Sequence, residues 1–252
     1  MRSIRVRDLW SQNQCAFNGW LAIPNSLSAE AMARAGWDSV TIDQQHGLID
    51  DASLVTMLQA LAASPCTPMV RVPWLSPAPI MRALDAGALG IICPMISTVD
   101  EAAKLVEYTS YAPMGGRSFG PIRAAMVDGP DYQASANARI IRFAMIETRQ
   151  GLDNLDAILQ VEGLDAIYVG PSDLSLSLGC KPTLDDVDPT AAQAIAHILE
   201  RAHAHGLKAG IHSQTVNYAI ARRQMGYDLV TTSSDLRLIA AGAQEAIKAW
   251  KA

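Results

Sequence analysis

Charged side chains close several of the apolar stretches in this chain, and they are the residues that could do chemistry. The apolar run FAMI ends on Glu147, and Asp173 follows closely after the run AIYVG. A third apolar run contains Arg71, and a fourth ends on His212. An acid in such a position either marks the point where a strand emerges into water or is aimed at a metal or a substrate.

Glu147 and Asp173 have the spacing of a shared metal site. They are 26 residues apart, which is the length of one strand and one helix. Neighbouring strands lie about 4.8 Å apart, so acids at two adjacent strand ends can reach one cation. Two oxygen ligands without His or Cys suit Mg²⁺ or Mn²⁺, whereas zinc prefers nitrogen or sulfur. Arg71 would bind an anionic substrate, and His46 could move protons.

Short strand-forming runs alternate with longer Ala-rich amphipathic segments along the chain. The strand candidates lack polar alternation, which indicates burial on both faces and a parallel sheet. Eight strand–helix units predict a single α/β domain over residues 1–252, a (β/α)8 TIM barrel. An open doubly wound sheet is the alternative, but no glycine follows the first strand and no G-x-G-x-x-G or P-loop pattern occurs.

The boundaries of these elements are set by the apolar runs and by the glycines that follow several helices. The predicted strands are Gly19–Ile23, Ser39–Asp43, Pro68–Val72, Gly90–Cys93, Arg142–Glu147, Ala166–Gly170, Lys208–His212 and Asp228–Thr232. The predicted helices are Ser28–Ala35, Ala52–Ala62, Pro77–Ala86, Val99–Thr109, Leu152–Gln160, Thr190–His205, Val216–Gln224 and Leu236–Trp250.

In a TIM barrel the carboxyl ends of all strands form one rim, and catalytic residues lie there. Taken singly, the polar residues have structural explanations: Asp43 as a strand-end acid, His46 as a loop histidine and Arg71 as an ion-pair partner. Asp173 could be an acid that favours the start of a helix. Because these residues and Glu147 fall on one rim, we predict that they share an active site.

The composition narrows the class of protein. Half of the 252 residues are hydrophobic, 18% are charged and the net charge is −5, with no basic cluster, so neither nucleic acid nor an anionic membrane is expected as a partner. The N-terminus lacks the apolar stretch of a signal peptide, and no apolar run approaches the ~20 residues of a membrane helix. The four cysteines form no CxxC pair, and we expect a cytoplasmic protein.

Residues 110–138 are predicted to form a loop with short helices over one end of the barrel.

Six stretches of the chain resemble, in order, motifs of the HpcH/HpaI family, and they cover nearly the whole sequence. This family is the 4-hydroxy-2-oxoheptanedioate aldolase group of metal-dependent, class II pyruvate aldolases. Each motif alone is weak, whereas the combination is specific. The motifs are IDQQHG at 42–47, VRVPW at 70–74, LDAGALGIICPM at 84–95, GGRSFGPIRA at 115–124, IETRQGLDNL at 146–155 and YVGPSDLSLSLG at 168–179.

The resemblance implies a role for each matching residue. Glu147 and Asp173 match the ligands of a divalent metal, which would be Mg²⁺, Mn²⁺ or Co²⁺. Arg71 matches the arginine that holds the ketoacid oxygen and stabilises the enolate. His46 matches the histidine that acts as acid and base through a bound water, and Asp85 matches the acid that orients this histidine.

The resemblance also implies where the substrates and neighbouring subunits bind. The backbone around Ser172 and Asp173 matches the pocket for the substrate carboxylate, and Trp20 falls where family members carry an aromatic residue near the aldehyde site. Family members are usually hexamers built from two trimers, and their last helix packs on a neighbouring subunit.

Three positions depart from the family pattern. Met145 stands in place of a glutamine, Gln45 in place of an acid beside the histidine, and His212 in place of a leucine close to the aldehyde pocket. We therefore count His212 among the substrate-binding residues. We expect an altered aldehyde preference rather than a different reaction.

These observations predict the reversible cleavage of 4-hydroxy-2-oxo acids to an aldehyde and pyruvate or hydroxypyruvate. A Schiff-base aldolase would need a lysine at a strand end, and none of the five lysines is predicted on the active rim. An acyl-CoA ester lyase of the same barrel type shares the two acids and stays an alternative. A barrel that only binds a metal–ketoacid complex is a second alternative, and it would not need His46 and Asp85.

Overall fold

The computed structural model describes all 252 residues, and eight parallel strands close into a barrel in sequence order, each paired with the next and β8 with β1. The predicted TIM barrel is therefore confirmed. The strands are β1 Ala16–Leu21, β2 Ser39–Asp43, β3 Thr67–Arg71, β4 Gly90–Cys93, β5 Ile141–Ile146, β6 Ala166–Val169, β7 Lys208–Ser213 and β8 Leu229–Thr232.

Thirteen helices surround the barrel, because several strand–helix units carry an extra short helix. Many begin at a polar side chain that caps the first turn, as Thr98 does in a capping box with Glu101. The helices are α1 Arg5–Ser11, α2 Ser26–Ala33, α3 Asp51–Leu61, α4 Pro77–Asp85, α5 Val99–Thr109, α6 Ile122–Asp128, α7 Tyr132–Arg139, α8 Arg149–Asp153, α9 Leu155–Leu159, α10 Pro171–Ser177, α11 Pro189–Ala204, α12 Val216–Gln224 and α13 Asp235–Lys251.

The strand boundaries differ most from the prediction at β1, which begins at Ala16 rather than at Gly19. The reason is Asn18, a poor strand former that is fully buried inside the barrel. Its amide nitrogen donates to Thr231 Oγ1 at 2.9 Å, and its oxygen accepts from the hydroxyls of Ser39 and Thr41. These hydrogen bonds allow a polar residue to occupy the barrel interior.

The amino-terminal end of the barrel is covered by α1. The indole of Trp10 packs edge-on against Phe143 with 5.8 Å between ring centroids, and its Nε1–H donates to the carbonyl of Asp228. The interior is thus closed at this end, and the opposite end, where the strands finish, is the one open to substrate.

Residues 110–138 belong to the closed end and not to the open one. They contain α6 and α7 and lead into the start of β5, where the Arg142 guanidinium donates to Thr109, Ser110 and Asn137. The segment was predicted to lie over one end of the barrel. Its position beside the first residue of β5 means that it does not cover the site of its own chain.

Two further findings concern the chain as a whole. All four cysteines are free thiols. None of the helices combines the length and the apolar character that are needed to cross a membrane.

Gly210 is required by the packing of the barrel interior. It pairs with Tyr168 on the neighbouring strand, and a Cβ at this position would lie 2.9 Å from Cδ2 of that buried ring. We expect Gly210→Ala to lower the free energy of unfolding by about 1–3 kcal/mol through overpacking, measured by urea denaturation. Gly120→Ala is the matched control because a Cβ there meets nothing within 4 Å. Equal stability of the two variants would contradict the tight packing of Tyr168.

Candidate active site

The carboxylate of Asp43 is the centre of the hydrogen bonding at the open end of the barrel. Asp43 pairs in register with Arg71, and its two oxygens accept from Arg71 Nε at 2.9 Å and Nη2 at 2.7 Å. They also accept from Trp20 Nε1 at 3.2 Å and from the backbone N–H groups of Gln45 and His46. Burial alone would raise the pKa of Asp43, but the hydrogen bonds and charge of Arg71 outweigh it and hold that pKa below its usual value.

Arg71 is consequently held in one orientation. Its side chain is nearly buried, and its guanidinium lies 4.8 Å from the ring centroid of Trp20. Two of its nitrogens, Nε and Nη2, donate hydrogen bonds to Asp43. Nη1 makes no hydrogen bond within the chain and is available to a ligand. A bidentate pair of this type fixes geometry more strongly than a single contact does.

Glu147 directly follows β5, and its side chain is buried beneath the open end, with 1% of the residue exposed. Oε1 accepts from the backbone N–H of Met95 at 2.8 Å, and Met95 has the left-handed φ of 59°. The carboxylate lies against the backbone of Gly170, where a Cβ would collide with Oε2. The side chain of Met145 also contacts Gly170, so an apolar methyl fills the space beside the acid.

The pKa of Glu147 is raised to about 7. Burial is the main cause, and the negative charge of Asp173 adds to it, while the Met95 amide and the charge of Arg71 act in the opposite direction. Asp173 is the third residue of α10, and its carboxylate is exposed at the open end. The structure thus brings the two predicted metal ligands near one another, with too little positive charge beside them.

The two carboxylates fit a divalent cation that prefers oxygen ligands. No group of three or more His, Cys, Asp or Glu residues with metal-site geometry occurs in the chain, so water and substrate would complete the coordination of a cation here. The raised pKa of Glu147 indicates that a cation would relieve an uncompensated charge. Both observations fit a hydrated divalent cation that is held by few protein ligands.

A cavity of about 310 Å³ opens at the carboxyl ends of β1, β2, β7 and β8. The imidazole of His46 is exposed there and makes no hydrogen bond within the chain. His212 lies in the wall of the same cavity, edge-on to Trp20 at 4.7 Å. The polar and aromatic surface of the cavity includes Trp20, Asp43, His46, His212, Ser233 and Arg237.

Asp85 does not line this cavity. It is the last residue of α4, and because helices run antiparallel to the strands, it is at the closed end of the barrel. Its carboxylate accepts from Arg117 Nη2 at 2.6 Å, and burial raises its pKa against the influence of that guanidinium. The expected Asp85–His46 contact is therefore not formed within one chain.

Sequence reasoning placed Trp20, His46, Arg71, Glu147 and Asp173 at the open end, and the structure puts them there. Ser172 is in the first turn of α10, where backbone N–H groups have no partner within the helix.

Two features were missed. The central position of Asp43 could have been inferred from its register with Arg71, whereas the contact between Tyr168 and His212 had no sequence signal.

The family model for the HpcH/HpaI aldolase/citrate lyase family matches residues 17–241. The chain belongs to this family. It is 42% identical over 243 residues to a hydroxypyruvate/pyruvate aldolase of Rhizorhabdus wittichii, covering 96% of this chain and 97% of the relative. It is also 36% identical over 234 residues to a 5-keto-4-deoxy-D-glucarate aldolase of Citrobacter koseri, covering 92% and 90%.

A solved HpcH/HpaI family structure from Burkholderia cenocepacia J2315 superposes with a TM-score of 0.91 at 31% identity, covering 98% of both chains. The resemblance based on the six motifs is thus confirmed. Membership in the HpcH/HpaI family makes the chain an enzyme of an aldolase and lyase group.

The uncompensated charge of Glu147 has a consequence for stability. Its pKa is about 7 in the folded chain, and the ordinary value for a glutamate is 4.5. Between these values the folded protein holds more protons than the unfolded chain and loses stability as the pH rises. At pH 8 with chelator, Glu147→Gln should increase the free energy of unfolding by on the order of 1–3 kcal/mol, measured by urea denaturation. Towards pH 4.5 this gain should disappear.

Mg²⁺ or Mn²⁺ should stabilise the wild type at pH 8 and should not stabilise Glu147→Gln. Glu200→Gln is the matched control, because Glu200 is exposed on α11 and makes no ion pair. Equal stabilisation of both variants by the cation would rule out Glu147 as a ligand.

Proposed function

We propose that this protein is a divalent-cation-dependent class II aldolase that cleaves 4-hydroxy-2-oxo acids to pyruvate or hydroxypyruvate and an aldehyde. The observation that carries the proposal is the pair of acids, the buried Glu147 and the exposed Asp173, near a guanidinium that Asp43 holds in one orientation. The names of the two relatives, a hydroxypyruvate/pyruvate aldolase and a 5-keto-4-deoxy-D-glucarate aldolase, support the same reaction class.

Glu147 and Asp173 would hold the cation, Mg²⁺, Mn²⁺ or Co²⁺. When bound, the cation supplies Lewis acidity that polarises the keto group of a 2-oxo acid. The backbone N–H groups of Ser172 and Asp173 would receive the substrate carboxylate, as the family resemblance implies. Arg71 would use its free Nη1 on the keto oxygen, where negative charge develops as the enolate forms.

His46 would move the proton. Its exposed imidazole, acting through a water, takes the proton of the C4 hydroxyl, and the C3–C4 bond breaks as its electron pair passes into the enolate. The aldehyde leaves into the cavity beside Trp20, and protonation at C3 yields pyruvate or hydroxypyruvate. Because Asp85 lies at the closed end, the orientation of His46 does not come from Asp85 of the same chain.

A Schiff-base mechanism finds no support in the position of the lysines. Lys208 is at the first residue of β7, at the closed end, and its Nζ pairs with Asp228 at 2.9 Å. Lys248 and Lys251 are in α13, Lys104 is in α5 and Lys181 follows α10. None of them lines the cavity beside His46.

The deciding experiment is release of pyruvate from 4-hydroxy-2-oxo acids after chelation, and again after addition of Mg²⁺, Mn²⁺ or Co²⁺. We expect activity to vanish and return, and His46→Asn to lower kcat by roughly 10²- to 10⁴-fold. His197→Asn, an exposed change on α11, is the control. Activity that is indifferent to chelation would overturn the roles of Glu147 and Asp173. No cleavage under any condition would favour an acyl-CoA ester lyase or a barrel that only binds a ketoacid.

We further propose that the protein is a homo-oligomer, a hexamer as the family resemblance implies, in which α13 packs on a neighbouring copy. Every residue from 236 to 252 is exposed, although α13 carries an apolar stripe of Leu236, Ile239, Ala243, Ile247 and Trp250. A helix without packing contacts is marginal in water. The outer face of β1, β8 and α12 offers an apolar groove that includes Phe17, Ala219, Ile220 and Val230.

Ile239→Asp should therefore reduce the molar mass measured by light scattering, because it puts a charge into the buried contact. Ala241→Asp introduces the same charge on the opposite side of α13 and should leave the mass unchanged. A wild-type protein that is monomeric at micromolar concentration would contradict the proposed assembly.

A further inference from the structure

His212 occupies the inner wall of the barrel and faces the substrate cavity. It is in β7, in register with Thr231 of β8, and its ring meets the edge of Trp20 with 4.7 Å between centroids. Its Nδ1 lies 3.0 Å from the phenolic oxygen of Tyr168. The Tyr168 ring reaches this point across Gly210, which has no side chain to obstruct it.

The hydrogen bonds around Tyr168 determine which nitrogen of His212 carries the proton. The Tyr168 hydroxyl donates to Thr231 Oγ1 at 2.7 Å. Thr231 Oγ1 also accepts from the side-chain amide of Asn18. Asn18 is fixed in this orientation because its own oxygen accepts from two hydroxyls of β2. With its own hydrogen directed to Thr231, the Tyr168 oxygen accepts from His212, which places the hydrogen on Nδ1 and a lone pair on Nε2.

The imidazole stays neutral in this environment. Burial in the barrel, followed by the positive charge of Arg71, lowers the pKa of His212 to about 3. Nε2 makes no hydrogen bond within the chain, while the ring lines the cavity that also contains His46. The wall of the cavity thus presents a hydrogen-bond acceptor with no donor from the protein.

We infer that Nε2 of His212 accepts a hydrogen bond from a hydroxyl group of the aldehyde, so that the site selects hydroxylated aldehydes over their methyl counterparts. This inference rests on the proposed aldolase function and specifies its aldehyde. A leucine, the residue that the family resemblance leads one to expect at this position, has no acceptor and would favour an apolar group. An acceptor that meets a methyl group loses its hydrogen bond to water without replacement, which is the physical source of the selectivity.

The test compares glycolaldehyde with propanal, which has a methyl group in place of the hydroxyl, as partners of pyruvate in aldol addition. The ratio of kcat/KM for the two aldehydes is the quantity to compare, because a change in protein stability or in cation binding affects both aldehydes equally and cancels in the ratio. We expect the wild type to favour glycolaldehyde by roughly tenfold, the value of one neutral hydrogen bond. In His212→Leu this ratio should fall by about the same factor.

Two further variants make the comparison specific. His212→Asn keeps an acceptor oxygen and should retain part of the preference for glycolaldehyde, and His197→Leu makes the same chemical change as His212→Leu on the exposed side of α11 and should retain all of it. Tyr168→Phe tests the positioning role of the phenol. It should reduce the preference and change the tautomer of His212, seen in the ¹⁵N chemical shifts of the imidazole.

The outcomes separate this inference from the proposed function. Aldol addition with an unchanged ratio in His212→Leu would overturn the role of His212 and leave the aldolase assignment standing. If neither aldehyde reacts, the ¹⁵N signal of Nε2 decides the inference by itself, and the aldolase assignment is decided by the cleavage of 4-hydroxy-2-oxo acids. Glycolaldehyde should move that signal and propanal should not; equal effects of the two, or none, would overturn the inference.

Discussion

The carboxylate of Asp43 is the group on which the open end of the barrel depends. It receives five hydrogen bonds, two of them from Arg71, one from Trp20 and two from the turn that carries His46. A buried acid and a buried guanidinium are stable only together, because either one alone would be an unpaired charge in an apolar wall. The indole, the free nitrogen of Arg71 and the His46 loop are therefore positioned by a single ion pair.

Glu147 is the opposite case, an acid for which the chain supplies too little compensation. One amide from Met95 and the more distant charge of Arg71 do not offset its burial and its repulsion by Asp173. Proteins tolerate such local conflicts mainly at functional sites, where a ligand resolves them. Asp43 and Glu147 thus differ in what compensates their negative charge. Groups of the chain compensate Asp43, whereas Glu147 needs a bound cation.

The fold could be read from the sequence because its signals are local. Most strands are apolar runs. The positions where these runs end identify Asp43, Arg71 and Glu147 as residues of the rim. The position of Asp85 at the closed end could not be predicted from its motif, because a motif conveys a role without saying which end of the barrel its helix reaches. The contact of Tyr168 with Thr231 joins residues 63 positions apart across a strand that contributes only Gly210 between them. A sequence pattern does not reveal such a contact, since it depends on the closure of the barrel.

The closed barrel divides its open end into two halves with different physical character. Asp43, Arg71, Glu147 and, after β6, Asp173 carry the charges on one side of the open end. The neutral groups of Asn18, Trp20, His212 and Thr231 lie on β1, β7 and β8, and Tyr168 of β6 joins His212 to Thr231. Exchange of one neutral residue on β1, β7 or β8 can therefore change the preference for aldehydes without touching the charged groups. Because the buried charges depend on one another, the architecture lets aldehyde selectivity vary separately from the bond-breaking chemistry.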